Sequence, residues 1–453
     1  MNKNKGQGGL PLILFFISLA VVFPLIFFGL PAERSYLLIL GVVIFVISFV
    51  NSNLALGILI LSMLLSPEFR AGGVRGRAIV VRADDVLLLV IFLGWMARAA
   101  ISKGKSIFRH TTLNLPLFLY IMVCFLASGQ GILDGLVKPQ EAFFYILKYL
   151  EYYLLYFMVV NNLKSYKQSK TFVYAMLFTS FLVCLIAWRQ SPITDRFSTP
   201  FEEGGGEPNT LAGYLLLMMS LTLAFICTLK STNKKILLFG LFALSFVCFV
   251  RTLSRGGWVA FFPMFLALTI FSRRYKLPLL VLLISGVIII PQVVPRIVRD
   301  RIEQAFAPEV RVRVMDKDMI ISESAAARIN TWRNALKIMT YRPLLGQGVP
   351  ASAVVDNQFA RVLSETGLIG LSIFIWMIVL IFQACFRAYR FLREDDFSEG
   401  LALGLICGLV GLLTMSFSSA TFILIRIMEP FWFLVAIIVM LPELVQEQKL
   451  QES

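Results

Sequence analysis

The chain has 453 residues, of which 58% are hydrophobic and only 15% charged, with a formal net charge of +15. That balance excludes a soluble domain of ordinary composition. The positive charge is spread over many short polar stretches, which argues against nucleic acid as a partner and matches the cytoplasmic bias of membrane loops.

Apolar runs near the roughly 20-residue bilayer length recur from Leu10 to Leu441. In chain order the expected spans are 10–30, 36–50, 54–66, 84–101, 115–130, 142–161, 171–190, 209–229, 236–251, 257–271, 277–295, 357–383, 400–419 and 424–442. They make an all-α polytopic membrane protein of about 12 to 14 transmembrane helices, one domain over residues 1–453. The first run has no small-residue cleavage site and reads as a retained helix.

Basic short stretches at 3–5, 103–109, 164–170, 230–235, 273–276 and 387–393 are placed in the cytoplasm, together with both termini. The far side then receives 67–83, 191–208, 251–256 and one large loop, 296–356. Inside loops are rich in lysine, whereas the far side is rich in arginine, including Arg82, Arg196, Arg255, Arg328 and Arg333. Arginine suits bidentate recognition of phosphate or carboxylate, so an anionic ligand is expected on the far side.

A loop as long as 296–356 inside a membrane domain is expected to be functional. Its second half reads as a helix that Ser322 or Ser324 can cap. Ala326, Ile329, Trp332, Leu336 and Met339 fall at helical spacing and make an apolar face, with Asn330, Arg333 and Lys337 on the polar side. Arg328 borders the apolar face, and Pro343 with Gly346 and Gly348 ends the helix.

All six cysteines lie in or beside apolar runs without a CxxC pair, so neither disulfides nor a thiolate metal site are expected. His110 is the single histidine, which excludes a histidine-rich metal site; no metal or cofactor is expected. Walker, GxSxG and HExxH patterns are missing, which leaves an ATPase, a serine hydrolase and a zinc protease unsupported.

Several polar groups stand at span ends, each with a structural reading beside the functional one. Asn209 opens a span as a helix cap, or contributes with Arg196 to an anion site at a helix N-terminus. Ser254 and Arg255 sit in a tight turn between two spans, as a plain helical hairpin or as a phosphate site. Asp356 and Glu365 can cap a helix and make a salt bridge, or take a proton from a hydroxyl. Arg82 precedes Asp84 and Asp85, where it forms a local ion pair or contacts substrate. Tyr145, Tyr149, Tyr152, Tyr153 and Tyr156 make an interfacial belt, a helix-packing seam, or a surface for sugars.

Four pieces in order resemble the O-antigen ligase / O-antigen polymerase superfamily of bacterial inner-membrane glycosyltransferases. They are Arg196 ahead of Pro208-Asn209-Thr210-Leu211-Ala212; Ser254-Arg255-Gly256-Gly257-Trp258; Arg328-Ile329-Asn330-Thr331-Trp332 with Pro343-Leu344-Leu345-Gly346-Gln347-Gly348; and Glu365-Thr366-Gly367-Leu368-Ile369-Gly370. The resemblance covers roughly residues 80 to 440. It implies a GT-C-like membrane fold and an inverting, metal-independent transfer from a glycan on undecaprenyl diphosphate at the periplasmic face of the inner membrane. Arg196, Arg255 and Arg328 are then expected to hold the diphosphate, with Asp356 or Glu365 as the base. Asn209, Ser254, Trp332, Arg333, Asn357 and Arg82 are the expected substrate contacts.

Ligases of this superfamily typically carry a histidine where this chain has Asp356-Asn357. That departure favours a polymerase of O-antigen or exopolysaccharide repeat units over a ligase that moves glycan to lipid A-core or another acceptor. A transporter of lipid-linked glycan would use the same arginines without chemistry. Membrane lipid and a polysaccharide chain-length regulator are the further candidate partners.

Overall fold

The computed structural model describes residues 32–74, 77–101, 109–190, 196–202, 206–293, 299–300, 303, 310–314, 317–321, 323–350 and 356–452. The expected span 10–30 and most of the basic stretch 103–109 lie outside the described residues. Among the described residues, fourteen long α-helices follow one another: α1 Ala32–Val50, α2 Ser52–Leu65, α3 Ala83–Ile101, α4 Asn114–Leu133, α5 Pro139–Asn162, α6 Tyr166–Gln190, α7 Pro208–Thr228, α8 Thr232–Arg251, α9 Arg255–Phe271, α10 Lys276–Val293, α11 Glu323–Tyr341, α12 Gln358–Phe391, α13 Asp396–Met415 and α14 Ile425–Glu452.

Among the described residues, eight helices are long and apolar enough to cross a membrane: α4 to α8 and α12 to α14. Four shorter apolar helices, Gly41–Val50, Ser52–Leu65, Arg255–Phe271 and Lys276–Ile289, accompany them. The chain is thus a multi-pass helical membrane protein. Its body is helical as expected. Two antiparallel hairpins occur, β1 Glu68–Val74 with β2 Arg77–Arg82, and β3 Val310–Val314 with β4 Lys317–Ile321. Both lie in polar segments, where alternating Val and Arg at 310–314 gives the period of two that a strand needs.

The centre of the bundle is α7, whose apolar window is 94% buried, against 22% for α8 at the periphery. A helix that is apolar all round belongs inside. α13 packs along α7 through a stripe of small residues, the arrangement that brings helix backbones close in a bilayer. A methyl on Gly404 would stand 2.8 Å from the Leu221 Cα, and Ser220 Oγ donates to the Gly404 carbonyl at 2.9 Å. Tyr149, Tyr152 and Tyr156 are buried in a ring seam with Trp432 of α14, and the Tyr152 hydroxyl donates to the Phe422 carbonyl at 3.0 Å. Those tyrosines pack helices together.

α12 is broken at Gly367, which takes φ 64° and ψ −161° in the middle of an otherwise helical run. The turn at 343–348 fills the gap. Gln347 N donates to the Ser364 carbonyl and Gly348 N to the Glu365 carbonyl, both at 2.9 Å. In return Leu368 N donates to the Pro343 carbonyl at 2.8 Å and Ile369 N to the Leu344 carbonyl at 3.3 Å. The backbone groups released by the break are paired again, as an apolar surrounding requires. On its other side the stretch abuts α4, where Val349 N donates to Ser128 Oγ at 3.0 Å.

The two sets of loops separated by charge lie at opposite ends of the bundle. At one end Lys230 and Arg274 pair with Asp396, and Arg273 with Glu399. At the other end the segments 64–82, 196–207, 251–256 and 416–426 meet one another. α11 matches the helix expected in the large loop, and of its apolar face Ala326 is buried and Ile329, Trp332 and Met339 are partly buried. Ala335 is fully buried, whereas Leu336 is 49% exposed, because alanine permits the closer helix approach.

Gly367→Ala adds a Cβ 2.3 Å from the Leu344 carbonyl oxygen at a positive φ. It is expected to destabilise the protein by about 1–3 kcal/mol, read as a lower melting temperature in detergent. Gly129→Ala, whose methyl meets nothing within 4 Å, is expected to leave that temperature unchanged or raise it.

Candidate functional site

The arginine-rich end is assembled around the α8–α9 turn. Leu253 takes φ 51° there, and Ser254 caps α9 by accepting the Gly257 N–H at 3.3 Å. The Ser254 hydroxyl donates to Asn209 Oδ1 at 2.8 Å. Asn209 was expected to cap α7. It sits instead in the first turn, after Glu207 as cap and Pro208 as first residue, so its side chain is released to meet Ser254. Arg196 Nε donates to the Thr252 carbonyl at 3.0 Å, and Phe197 N to the Arg251 carbonyl at 3.0 Å. The structure therefore brings Arg196, Asn209, Ser254 and the first residue of α9, Arg255, into one turn.

A second wall comes from α12 and the α13–α14 connection. Asn357 caps α12, accepting from the Phe359 and Ala360 N–H groups at 3.0 Å, and donates Nδ2 to the Phe417 carbonyl at 2.9 Å. The next residue, Ser418, packs on the α9 turn: a methyl on Gly256 would lie 2.0 Å from its Oγ. Asp356 is exposed beside this cap. Asn357 and Asp356 thus share the end with Ser254 and Arg255.

Glu365 and Arg82 have other surroundings. Glu365 is buried two turns along α12, where Arg361 Nε donates to its Oε1 at 2.9 Å. Arg82 is buried in carboxylates, 2.9 Å from Asp85, 3.4 Å from Asp84 and 3.5 Å from Glu151. Arg328 belongs to α11, with its side chain outside the described residues, while Trp332 is partly buried and Arg333 exposed on the same helix.

The sequence reading passed over the charges of α14. Arg426 is buried and donates to the Leu64 carbonyl at 2.7 Å, with Glu202 at 3.1 Å and Glu68 at 3.5 Å. Glu429 is fully buried one turn later. A charge pair inside the apolar run 424–442 was the available signal. Burial works against the Arg82 charge, but the carboxylates of Asp84, Glu429, Asp85 and Glu151 outweigh it and push the guanidinium above the usual arginine range. Burial and then the Glu202 carboxylate push Glu68 up, more than Arg426 and Arg82 pull it down. These charges brace the β1–β2 hairpin and the 196–207 segment against α14.

The contact between the two walls gives a direct check. Gly256→Ala is expected to cut turnover at least tenfold at normal expression, since its methyl collides with Ser418. Gly256→Ala combined with Ser418→Gly is expected to recover most of it. Equal loss in the single and double variants would show that the collision is not the cause.

Residues 240–375 match the family model described as O-antigen ligase. No curated protein matches the chain. The matched stretch runs from α8 through the capped α9 turn and the large loop to the second segment of α12. It therefore contains Ser254, Arg255, Asp356, Asn357 and the broken helix.

Proposed function

We propose that the protein is a polymerase-type glycosyltransferase that joins undecaprenyl-diphosphate-linked repeat units at the periplasmic face of a bacterial inner membrane. The observation that carries this reading is the convergence of the α8–α9 turn, bearing Ser254 and Arg255, with the start of α12, bearing Asp356 and Asn357. An acceptor hydroxyl attacks the anomeric carbon of the donor glycan from the face opposite the diphosphate. The new C–O bond forms as the bond to the diphosphate breaks, and the leaving group departs with the electron pair. Arg255 and Arg328 take up that charge, a role guanidinium groups perform well in a site shielded from water. Arg196 binds the main chain of the α8–α9 turn and sets where Arg255 stands.

The hydroxyl proton goes to Asp356, the exposed carboxylate next to the cap of α12. Glu365 is committed to Arg361 and serves that role less well. Trp332 and Arg333 of α11 contact the glycan. Arginine neutralises the leaving diphosphate in this scheme, so the reaction is metal-independent and inverts the anomeric centre. The family match to O-antigen ligase supports a second reading, transfer of the glycan to lipid A-core or another acceptor. Asp356 in place of a histidine favours the polymerase.

Purified protein in liposomes, given an undecaprenyl-diphosphate-linked oligosaccharide and no other acceptor, is expected to yield a ladder of repeat multiples. Unchanged donor would favour the ligase or a transporter. Arg328→Lys is expected to lose about 10²–10³-fold in turnover, nearly as much as Arg328→Ala, because fork geometry matters. Asp356→Asn is expected to lose about 10²–10⁴-fold, the usual contribution of a general base. Wild-type rates in Asp356→Asn would remove that residue from the chemistry.

A further inference from the structure

Two cations outside the turn just described, Lys148 of α5 and Arg361 of α12, stand at one tyrosine ring. Lys148 Nζ stands 5.2 Å from the centroid of the Tyr145 ring, and the Arg361 guanidinium carbon stands 5.4 Å from the same centroid. α4 and α14 each pack against both α5 and α12. Between these helices lies a small cavity lined by Tyr149, Gln358 and Trp432 among others. Gln358 is fully buried, and its Nε2 has no protein acceptor among the described residues.

The cations are incompletely matched. Arg361 is 9% exposed and uses Nε on Glu365, while its terminal nitrogens have no acceptor among the described residues. Lys148 is half-buried and has no ion-pair partner among the described residues beyond the face of Tyr145. The carboxylates near Lys148 are turned elsewhere: Asp85, Asp84 and Glu151 all pair with Arg82. Glu365 offsets part of the Arg361 charge, and the like charge that remains near one ring repels away from water. An oxyanion between them relieves that repulsion and fills the open edge of the guanidinium fork.

The position suggests which oxyanion. Arg361 lies one turn along α12 from Asn357, on the same face, and Asn357 reaches Phe417 beside the Ser418–Gly256 contact. The start of α12 therefore stands between the Arg255 turn and the Lys148–Arg361 pair. A polymerase handles two lipid-linked glycans at once, each with its own diphosphate. One diphosphate leaves, and the other has to be held away from the reacting carbon. We propose that Lys148 and Arg361 form a second phosphate subsite, which holds the diphosphate of the acceptor lipid. This rests on the polymerase reading above.

Full-length protein in phosphatidylcholine nanodiscs, titrated with farnesyl diphosphate and counted by native mass spectrometry, tests it. Two farnesyl diphosphates per chain are expected. Lys148→Met is expected to remove one, Lys148→Arg to keep both, and Arg361→Lys to weaken the second at least about tenfold by losing the fork. The lysine replacement keeps a charge beside Glu365, and a melting temperature guards against misfolding. Arg255→Gln is expected to remove the other occupant. Two occupants in Lys148→Met, or a single occupant lost only in Arg255→Gln, would overturn the second subsite and leave the proposed function standing. Loss in Lys148→Met with none in Arg255→Gln would sustain the subsite and overturn the donor assignment. Phosphatidylglycerol replacing farnesyl diphosphate at the Lys148-dependent position in mixed nanodiscs would assign the pair to a phospholipid headgroup and overturn the proposal.

Discussion

Breaking a helix inside an apolar body leaves backbone donors and acceptors that must be paired, and the pairing at Gly367 organises the candidate site. Four main-chain hydrogen bonds join 343–348 to the two sides of the break. They anchor the end of the large loop to α12 and, through Ser128, to α4. The loop helix α11 is thereby tethered close to the bundle, since only Arg342 separates its last residue from the docked stretch, and Arg342 itself pairs with Asp134 at the end of α4. The break also frees the first segment of α12 to follow its own direction. That segment carries Asn357, Arg361 and Glu365 on one face.

The arginines of this end divide by what surrounds them. Arg82 and Arg426 are enclosed by carboxylates and main-chain carbonyls. Removing one partner of a buried pair leaves an uncompensated charge, so these two fix the hairpin and α14. Arg196 meets the carbonyls of a turn and holds that turn in place. Lys148 and Arg361 stand at one tyrosine ring, and of the two only Arg361 has a carboxylate, Glu365, among the described residues. A count of arginines on the far side, taken from sequence, could not separate these groups, because burial and partner are decided by tertiary packing.

What the sequence made legible followed the strongest physical signals. Apolar length and the alternation of basic loops marked the helices, and the ordered motifs marked the turn at Ser254 and Arg255. The pairing of 343–348 with 364–369 was not legible, since the positive φ of Gly346 and Gly367 and the close backbone contacts there are set by the fold. Asn209 misled because asparagine is a good cap, yet Pro208 already occupies the first helical position. The hairpins were overlooked because their alternation is short and lies among many charges. Glu429 and Arg426 were hidden in a run read only for its length. Lys148 and Arg361 lie over 200 residues apart, and only the fold sets them at one tyrosine ring.

The substitution of Asp356 and Asn357 for a histidine gains meaning from the geometry. Asn357 uses both ends of its amide, one to cap α12 and the other to hold the Phe417 carbonyl. It is therefore spent on placing the helix start against the α13–α14 connection. Asp356, immediately before it and exposed, is carried at a fixed point by that cap without being consumed by it. On the proposed polymerase reading, a carboxylate in this position takes the hydroxyl proton, and a diphosphate leaving group asks for none in return. Such a leaving group requires charge compensation, not protonation, and that is what an arginine-rich end supplies. The residue that departs from the ligase pattern and the residues that keep to the superfamily are, on this reading, two halves of one chemical requirement.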